Sequence, residues 1–294
     1  AVLMCVGALT LLRWTTSVPA KATVQWNDLS PIPNATAGAF VGVSGGALIV
    51  AGGSDFLVAP PWNGGAKSWF DAIYALPEPL GTWMSVGKLP RPLGYGVSAT
   101  WRGRVLCVGG SDSSTHRTET FALRYTEGGS NAAIEAGPPM PLGLANAAGV
   151  LVGDILYVVG GATSPSATSA SDSLWSLDLT HGLSQASWEV LPSFPGAARI
   201  LPSIAWDGHQ LVLVSGASLL PDADGSPTRA FLRDAFAFDP ARREWRVLHQ
   251  GATMHTHAHG HEYRHTHTIQ SHPRHRPNQC MGAWVHGCMG AWVH

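Results

Sequence analysis

The chain has 294 residues, a formal net charge of −1 and only 13% charged residues, against about 25% in typical soluble domains. This balance excludes a highly charged tail and a basic nucleic-acid-binding surface. Glycine is abundant, with 34 residues, yet apolar residues reach 45% and there are 12 tryptophans. The composition favours a turn-rich chain with a substantial core over a disordered one. The four cysteines lack the spacing of a disulfide framework.

Residues 1–22 are predicted to be the remnant of a signal peptide. Their apolar run is too short to span a bilayer, and Ala20-Lys21-Ala22 has the A-x-A form of a signal-peptidase site. The sequence therefore predicts a periplasmic or secreted protein that has no membrane contact beyond this segment. The alternative is that the segment is a buried part of the fold.

Between residues 23 and 248 one pattern recurs, in which an apolar run ends on a glycine pair and a tryptophan follows further on. The second residues of these pairs are Gly53, Gly110, Gly161 and Gly216, spaced by 57, 51 and 55 residues, and the last pair is the degenerate Ser215-Gly216. That period is close to the roughly 50 residues of a kelch blade. Tryptophans recur in phase with the pairs, at Trp26, Trp83, Trp188 and Trp245, with Ile134 where a fifth would fall.

Each unit is predicted to form four strands. In the second unit these are 96–101, 104–108, 120–125 and a stretch around Ile134, and the first strand pairs of the next units lie within 148–159 and 203–214. Predicted turns lie at Arg102-Gly103, Gly153-Asp154 and Asp207-Gly208. Such sheets cannot bury both faces alone, so they are expected to stack radially as a β-propeller. The glycine pair is expected to end the second strand where a side chain would collide with the neighbouring blade.

Residues 249–294 have a different character, since they hold 11 of the 14 histidines and a duplicated Cys-Met-Gly-Ala-Trp-Val-His segment. We interpret them as a low-complexity or out-of-frame tail without a core. A metal-binding tract is the alternative, because alternating imidazoles are good ligands for zinc, nickel or copper. Its weak candidate ligands are His255, His257, His259 and His261.

The units resemble kelch repeats, and their amino-acid sequences are similar to those of one family in particular. Residues 37–56 and 93–98 resemble the last two blades of the sialic acid mutarotase family, also called N-acetylneuraminate epimerase. The stretch 191–199 and Phe238-Asp239-Pro240 resemble that family's opening blades. This order is that of the cyclically permuted mutarotases.

The resemblance implies an all-β, kelch-type β-propeller of six blades, of which four are recognisable in this chain. It also implies an isomerase that interconverts the anomers of N-acetylneuraminate, a small-molecule sugar, without a cofactor. Family members are thought to use a Glu and an Arg in a Gly-Glu stretch with Arg close behind, and this chain has no counterpart. The catalytic residues are therefore unassigned, and weak or no activity is expected.

A Trp26 strand would complete the last blade of a closed ring, because it precedes any inner strands of its own. The expected last blade is not visible in the sequence. Either the ring is open, with edges that invite self-association, or the tail replaces genuine blade sequence.

Loops before the inner strands of a propeller surround its central channel and commonly bind ligands. Those loops supply the predicted substrate-binding residues Asn34, Arg91, Tyr95, Asn146 and Arg199. Because Arg199 matches the family's Phe-Pro-Gly-x-x-Arg stretch, it is predicted to bind the sugar carboxylate, with a surface arginine as the alternative. Tyr95 is predicted either to offer its hydroxyl to the sugar or to pack between blades.

A second set of loops, between the second and third strands, includes residues 55–67. Trp62 and Asn63 lie at its centre, where an exposed indole could stack on a sugar. The sequence contains no phosphate loop, HExxH motif or nucleophile elbow. The second hypothesis is a non-catalytic kelch module that binds a glycan or a protein through its loop face.

Overall fold

The computed structural model describes residues 26–250 and the backbone of residues 254–255. The predicted signal segment 1–22 and most of the predicted tail lie outside the described residues. The described chain is all-β, and most of its strands form four four-stranded antiparallel sheets that follow one another along the sequence. We call each of these sheets a blade and number the blades in chain order.

Each of the first two blades pairs four strands side by side in chain order. Blade one consists of β1 (Phe40–Ser44), β2 (Ala47–Ala51), a short separate pair β3 (Ser54–Asp55) and β4 (Ser68–Trp69), then β5 (Ala72–Leu76) and β6 (Met84–Lys88). Blade two consists of β7 (Val97–Trp101), β8 (Arg104–Val108), β9 (Thr120–Arg124) and β10 (Ala133–Ala136).

Blades three and four follow the same plan, with an insertion in the last. Blade three consists of β11 (Ala148–Val152), β12 (Ile155–Val159), β13 (Leu174–Asp178) and β14 (Ser187–Leu191). Blade four consists of β15 (Ser203–Trp206), β16 (Leu211–Val214), the inserted hairpin β17 (Ala217–Pro221) and β18 (Pro227–Phe231), then β19 (Ala235–Asp239) and β20 (Glu244–His249). The predicted strands and turns of the second, third and fourth units are therefore confirmed.

Three residues of the predicted tail lie in strands, since His249 ends β20 and two more form a further short strand. The backbone of β21 (Met254–His255) pairs with Ala230 and Phe231 of the inserted hairpin, which makes a three-stranded sheet. The interpretation of residues 249–294 as a low-complexity or out-of-frame tail without a core stays a prediction. His257, His259 and His261 lie outside the described residues, as does the side chain of His255.

The core lies between adjacent blades. Phe40 and Ile49 of blade one pack with Val105 and Phe121 of blade two, and all four are at most 5% exposed. Equivalent clusters join blades two and three and blades three and four. Each sheet therefore buries an apolar face against its neighbour, which is the arrangement that the alternating pattern predicts.

The glycine pairs lie where the backbones of neighbouring blades come closest. The second glycine donates its N–H to a carbonyl of the next blade, from Gly53 to Leu93 at 2.8 Å and from Gly110 to Leu144 at 2.7 Å. A Cβ on the first glycine would collide with that same carbonyl, and at Gly109 it would lie 2.5 Å from the Leu144 oxygen. The predicted role of the pairs is confirmed.

Tryptophans of the outer strands join the blades a second time. The indole Nε1 atoms of Trp83, Trp188 and Trp245 donate to carbonyls of the preceding repeat, at 2.7, 3.1 and 2.7 Å. The acceptor for Trp83 is Ser30, four residues after Trp26. Trp26 itself is 87% exposed and residues 26–30 form no strand, so the prediction of a strand at Trp26 is wrong. Among the described residues no sheet lies beside it that could supply the pairing bonds.

Gly109→Ala is expected to destabilise the protein more than Gly103→Ala does. Both glycines have positive φ, at 61° and 71°, but a Cβ at Gly103 meets no atom within 4 Å. Left-handed strain therefore costs about 1–2 kcal/mol in both variants, and the collision with Leu144 adds about 1–3 kcal/mol in Gly109→Ala. Urea unfolding followed by tryptophan fluorescence measures the difference. Equal losses in the two variants would show that the carbonyl contact is not what requires glycine.

Candidate functional site

The inner loops of the four blades are joined by a ladder of backbone hydrogen bonds. One residue before each first strand has a left-handed backbone, namely Gly38, Tyr95, Asn146 and Leu201, with φ between 53° and 67°. The N–H groups of the last three donate to the carbonyl of the equivalent residue one blade back, from Tyr95 to Gly38 at 2.7 Å, Asn146 to Tyr95 at 2.9 Å and Leu201 to Asn146 at 2.7 Å. We call this the inner ladder.

The inner ladder places two predicted site residues at equivalent positions of adjacent blades. Tyr95 belongs to blade two and Asn146 to blade three, and their first strands contact each other. A tyrosine with positive φ is uncommon, since its Cβ crowds the backbone. Such strain occurs at binding sites more often than elsewhere. The side chain of Asn146 makes no hydrogen bond within the described part of the chain, so its amide is open to a ligand.

The side chain of Tyr95 extends to blade one, where it contacts several polar and aromatic side chains. Its hydroxyl lies 2.9 Å from Ser54 Oγ, and its ring meets Trp69 edge-on at 5.7 Å. The Lys67 ammonium lies 4.5 Å from the Tyr95 ring centroid, 5.3 Å from that of Trp69 and 5.7 Å from that of Phe56. Lys67 Nζ also donates to the Tyr95 hydroxyl at 3.3 Å. We call these five residues the caged-lysine group.

The short β3–β4 hairpin holds the caged-lysine group in place. Ser54 pairs with Trp69 within this hairpin. On its other side it exchanges two backbone bonds with Ala37 of the inner loop, with the Ala37 N–H donating at 2.8 Å and the Ser54 N–H at 3.0 Å. Ser54 directly follows the glycine pair, so the inner end of blade one fixes the base of the hairpin. Tyr95 therefore packs between blades one and two, and the predicted contact of its hydroxyl with a sugar stays a prediction.

An open apolar cleft of about 410 Å³ adjoins the group and shares Phe56 with it. Pro60, Pro61 and Trp62 form its other apolar walls, and Asp55 also lines it. The Trp62 side chain is 65% exposed, in a 3₁₀ turn that also contains Asn63. The loop predicted to carry Trp62 and Asn63 therefore lies beside the caged-lysine group.

Arg199 has a different environment from the one predicted. Its side chain is 0% exposed, and its guanidinium forms two bonds to the Asp234 carboxylate, at 2.6 and 2.9 Å. The guanidinium also lies over the Phe194 and Phe236 rings, at 4.9 and 5.3 Å. Where the sequence predicted a sugar carboxylate or bulk water as the neighbour of Arg199, the structure places Asp234.

Aligning the repeats would have indicated this burial. The carbonyls that accept bonds from the glycine pairs belong to Leu93, Leu144 and Arg199, so these three residues are equivalent. Leu93 and Leu144 are each 2% exposed and belong to the core. Arg199 is therefore an arginine at a core position, and a buried arginine requires a carboxylate partner.

The remaining predicted substrate-binding residues are engaged within the chain. Arg91 forms an ion pair with Glu119 at 3.2 Å, and the Asn34 amide donates to the Tyr74 hydroxyl at 2.8 Å. Both pairs are exposed enough for a ligand to compete with them. The structure thus brings Tyr95 together with residues that the sequence did not single out, Ser54 and Trp69.

The loop after the second glycine pair carries a compact polar cluster. Burial raises the pKa of Asp112, but N–H groups of Ser114 and Thr115 and the Arg117 guanidinium outweigh it and hold that pKa well below its usual range. Burial lowers the pKa of the adjacent His116, and the Asp112 charge partly opposes this shift. Asp112 is therefore an anion, and its hydrogen bonds order its own loop.

Two further features concern metals and membranes. Within residues 26–250 no group of three or more His, Cys, Asp and Glu side chains is placed to hold a metal ion. The same part of the chain contains no helix that is long and apolar enough to cross a membrane.

Comparison with known proteins identifies the family to which this chain is similar. Residues 15–131 match the family model of N-acetylneuraminate epimerase. The predicted family resemblance is confirmed. Relatives named N-acetylneuraminate epimerase are 37% identical over 119 residues in Brucella suis and 32% identical over 119 residues in Haemophilus influenzae. These alignments cover 34% and 35% of this chain.

The chain spans about a third of the length of the epimerases that it matches, 30% and 31% respectively. The segment that matches the epimerase family includes blade one and most of blade two, and with them the whole caged-lysine group. The solved structure of YjhT aligns with a TM-score of 0.61 at 16% identity, covering 76% of this chain and 73% of that one. This likeness confirms the β-propeller fold.

Asp234→Ala is expected to cost about 3–5 kcal/mol of stability, because it leaves the Arg199 charge buried without a partner. The matched control is Asp71→Ala, which removes an ion pair to Lys88 whose side chain is 74% exposed. That change is expected to cost no more than about 1 kcal/mol. Thermal unfolding of both variants tests the structural role of Arg199. Similar small losses would mean that Arg199 does not depend on Asp234.

Proposed function

We propose that this chain belongs to a sialic acid mutarotase-like protein and binds N-acetylneuraminate at the inner ends of blades one and two. The observation that carries the proposal is the position of the caged-lysine group inside the segment that matches the epimerase family. That group combines aromatic faces, hydroxyls and an ammonium. A sugar acid offers the complementary C–H faces, hydroxyls and carboxylate.

The proposed reaction needs proton transfer and no cofactor. Mutarotation removes a proton from the anomeric hydroxyl, breaks the bond between the anomeric carbon and the ring oxygen, and returns a proton to that oxygen. Reclosure on the other face of the carbonyl gives the second anomer. Tyr95 and Ser54 hydroxyls are suited to hold the sugar while water carries these protons.

We further propose that catalysis is weak. The family's Glu and Arg have no counterpart in the sequence, and the arginines nearest the inner loops are engaged by carboxylates of this chain. Arg91 pairs with Glu119, Arg117 with Asp112 and Arg199 with Asp234. A paired arginine and a paired carboxylate are poor choices for a general acid and base, because each stabilises the other's charged form.

The same pairing favours a second candidate, a non-catalytic kelch module that binds a glycan or a protein on this face. Both candidates use the same surface and differ in whether the bound sugar changes anomer. Self-association through the sides of blades one and four that no other described blade covers is proposed in either case. Export is proposed from the pattern at residues 20–22, and sequencing the N-terminus of the protein recovered from the periplasmic fraction tests it.

Nuclear magnetic resonance distinguishes the two candidates with the 294-residue chain. One experiment follows the approach to anomeric equilibrium of freshly dissolved N-acetylneuraminate, and saturation transfer to the sugar protons detects binding. The mutarotase proposal predicts saturation transfer together with equilibration faster than in buffer. Saturation transfer at the buffer rate would favour the binding module, and neither effect would refute both.

Tyr95→Phe is expected to weaken sugar binding by about fivefold to tenfold, since it removes a hydroxyl worth about one hydrogen bond. Tyr125→Phe is the matched control. The Tyr125 hydroxyl is buried in the core and has no partner among the described residues, so its loss is expected to leave binding unchanged. Titration of the sugar into each variant measures the affinities. An unchanged affinity in Tyr95→Phe would remove Tyr95 from the site.

A further inference from the structure

The two lysines in the described part of the chain differ in their partners. Lys88 forms an ion pair with Asp71 at 3.2 Å. Lys67 meets three aromatic rings and the Tyr95 hydroxyl, and no carboxylate of the described residues lies within 4.0 Å of its ammonium. Its charge is thus positioned without being neutralised.

Asp55, the nearest acidic residue along the hairpin, does not form an ion pair with Lys67. Asp55 pairs with Ser68 in the β3–β4 register, next to Lys67 in sequence. Its carboxylate accepts a bond from the Phe56 N–H at 2.8 Å, and Asp55 is one of the residues that line the apolar cleft. An anionic ligand would therefore place its carboxylate at Lys67 and its neutral groups toward Asp55.

The rings fix where the ammonium points. Faces of Phe56, Trp69 and Tyr95 attract a cation through their negative π surfaces and restrict the otherwise flexible lysine stem. One N–H is directed to the Tyr95 hydroxyl, and the other two remain for a ligand. Lys67 is exposed, and the ring contacts reduce the ordering cost that an exposed lysine without such contacts would incur on binding.

We infer that Lys67 is the carboxylate-recognition residue of this face, the role that the sequence assigned to Arg199, and that the site takes sugar acids through that carboxylate. A ligand carboxylate forms charge-assisted hydrogen bonds with the caged ammonium. An apolar substituent then lies in the cleft beside Phe56 and Trp62. In naming a sugar acid as the ligand, the inference rests on the proposed function.

The test compares N-acetylneuraminate with its methyl ester, which lacks the negative charge, on the full chain. The wild-type protein is expected to prefer the acid by about tenfold. Lys67→Gln should abolish that preference, whereas Lys67→Arg should retain most of it, because arginine keeps the charge and stacks on aromatic rings. Lys88→Gln is the matched control and should bind as the wild type does.

A second probe separates this inference from the proposed function. Glucuronate is a smaller sugar acid, and its binding is followed through the ¹³Cε resonance of Lys67, assigned by its loss in Lys67→Arg. If N-acetylneuraminate fails to bind while glucuronate binds and shifts that resonance, the carboxylate site stands and the proposed substrate is wrong. The inference is overturned if Lys67→Gln prefers the acid as strongly as the wild type does. It is also overturned if neither acid binds.

Discussion

The structure depends on the direct approach of one blade's backbone to the next. At each junction a carbonyl of the incoming blade lies less than 3.0 Å from where a Cβ would stand on the first glycine of the pair. The second glycine donates its N–H to that carbonyl. Each contact removes the space for a side chain and satisfies a buried polar group at once. This contact sets the distance at which the apolar faces of adjacent sheets pack.

The candidate site is a product of the same contact. Tyr95 belongs to blade two. Its N–H donates to the Gly38 carbonyl, its hydroxyl is hydrogen-bonded to Ser54, and its ring packs edge-on against Trp69, yet all of these partners belong to blade one. A shift of one blade against the other would separate the Tyr95 ring from Lys67. Because the glycine contact fixes the junction, the caged-lysine group is held by backbone bonds rather than by loop conformation alone. The same glycine contact therefore determines both the spacing of the blades and the geometry of the candidate site.

Local features were predictable from the sequence, and long-range partners were not. The strands, their turns and the role of the glycine pairs follow from alternation, turn residues and period, which act over a few residues. Trp26 follows the tryptophan period yet forms no strand, because a strand needs a neighbouring sheet. The neighbours of Lys67 could not be read either, since Tyr95 lies 28 residues further along the chain. Only the fold brings these residues together.

Blade four differs from the other blades at the first position of the glycine pair. Ser215 occupies the position of the first glycine, with φ of 58°, and its Oγ donates to the Leu232 carbonyl at 3.1 Å. Its own carbonyl accepts a bond from Arg199. In the other blades a Cβ at this position would collide with the next blade, so a blade stacked on blade four in the same manner would meet the Ser215 side chain. The buried Arg199 and Asp234 pair lies beside this position, since Arg199 also bonds to the Ser215 carbonyl, and the arginine of the Phe-Pro-Gly-x-x-Arg stretch therefore serves the fold.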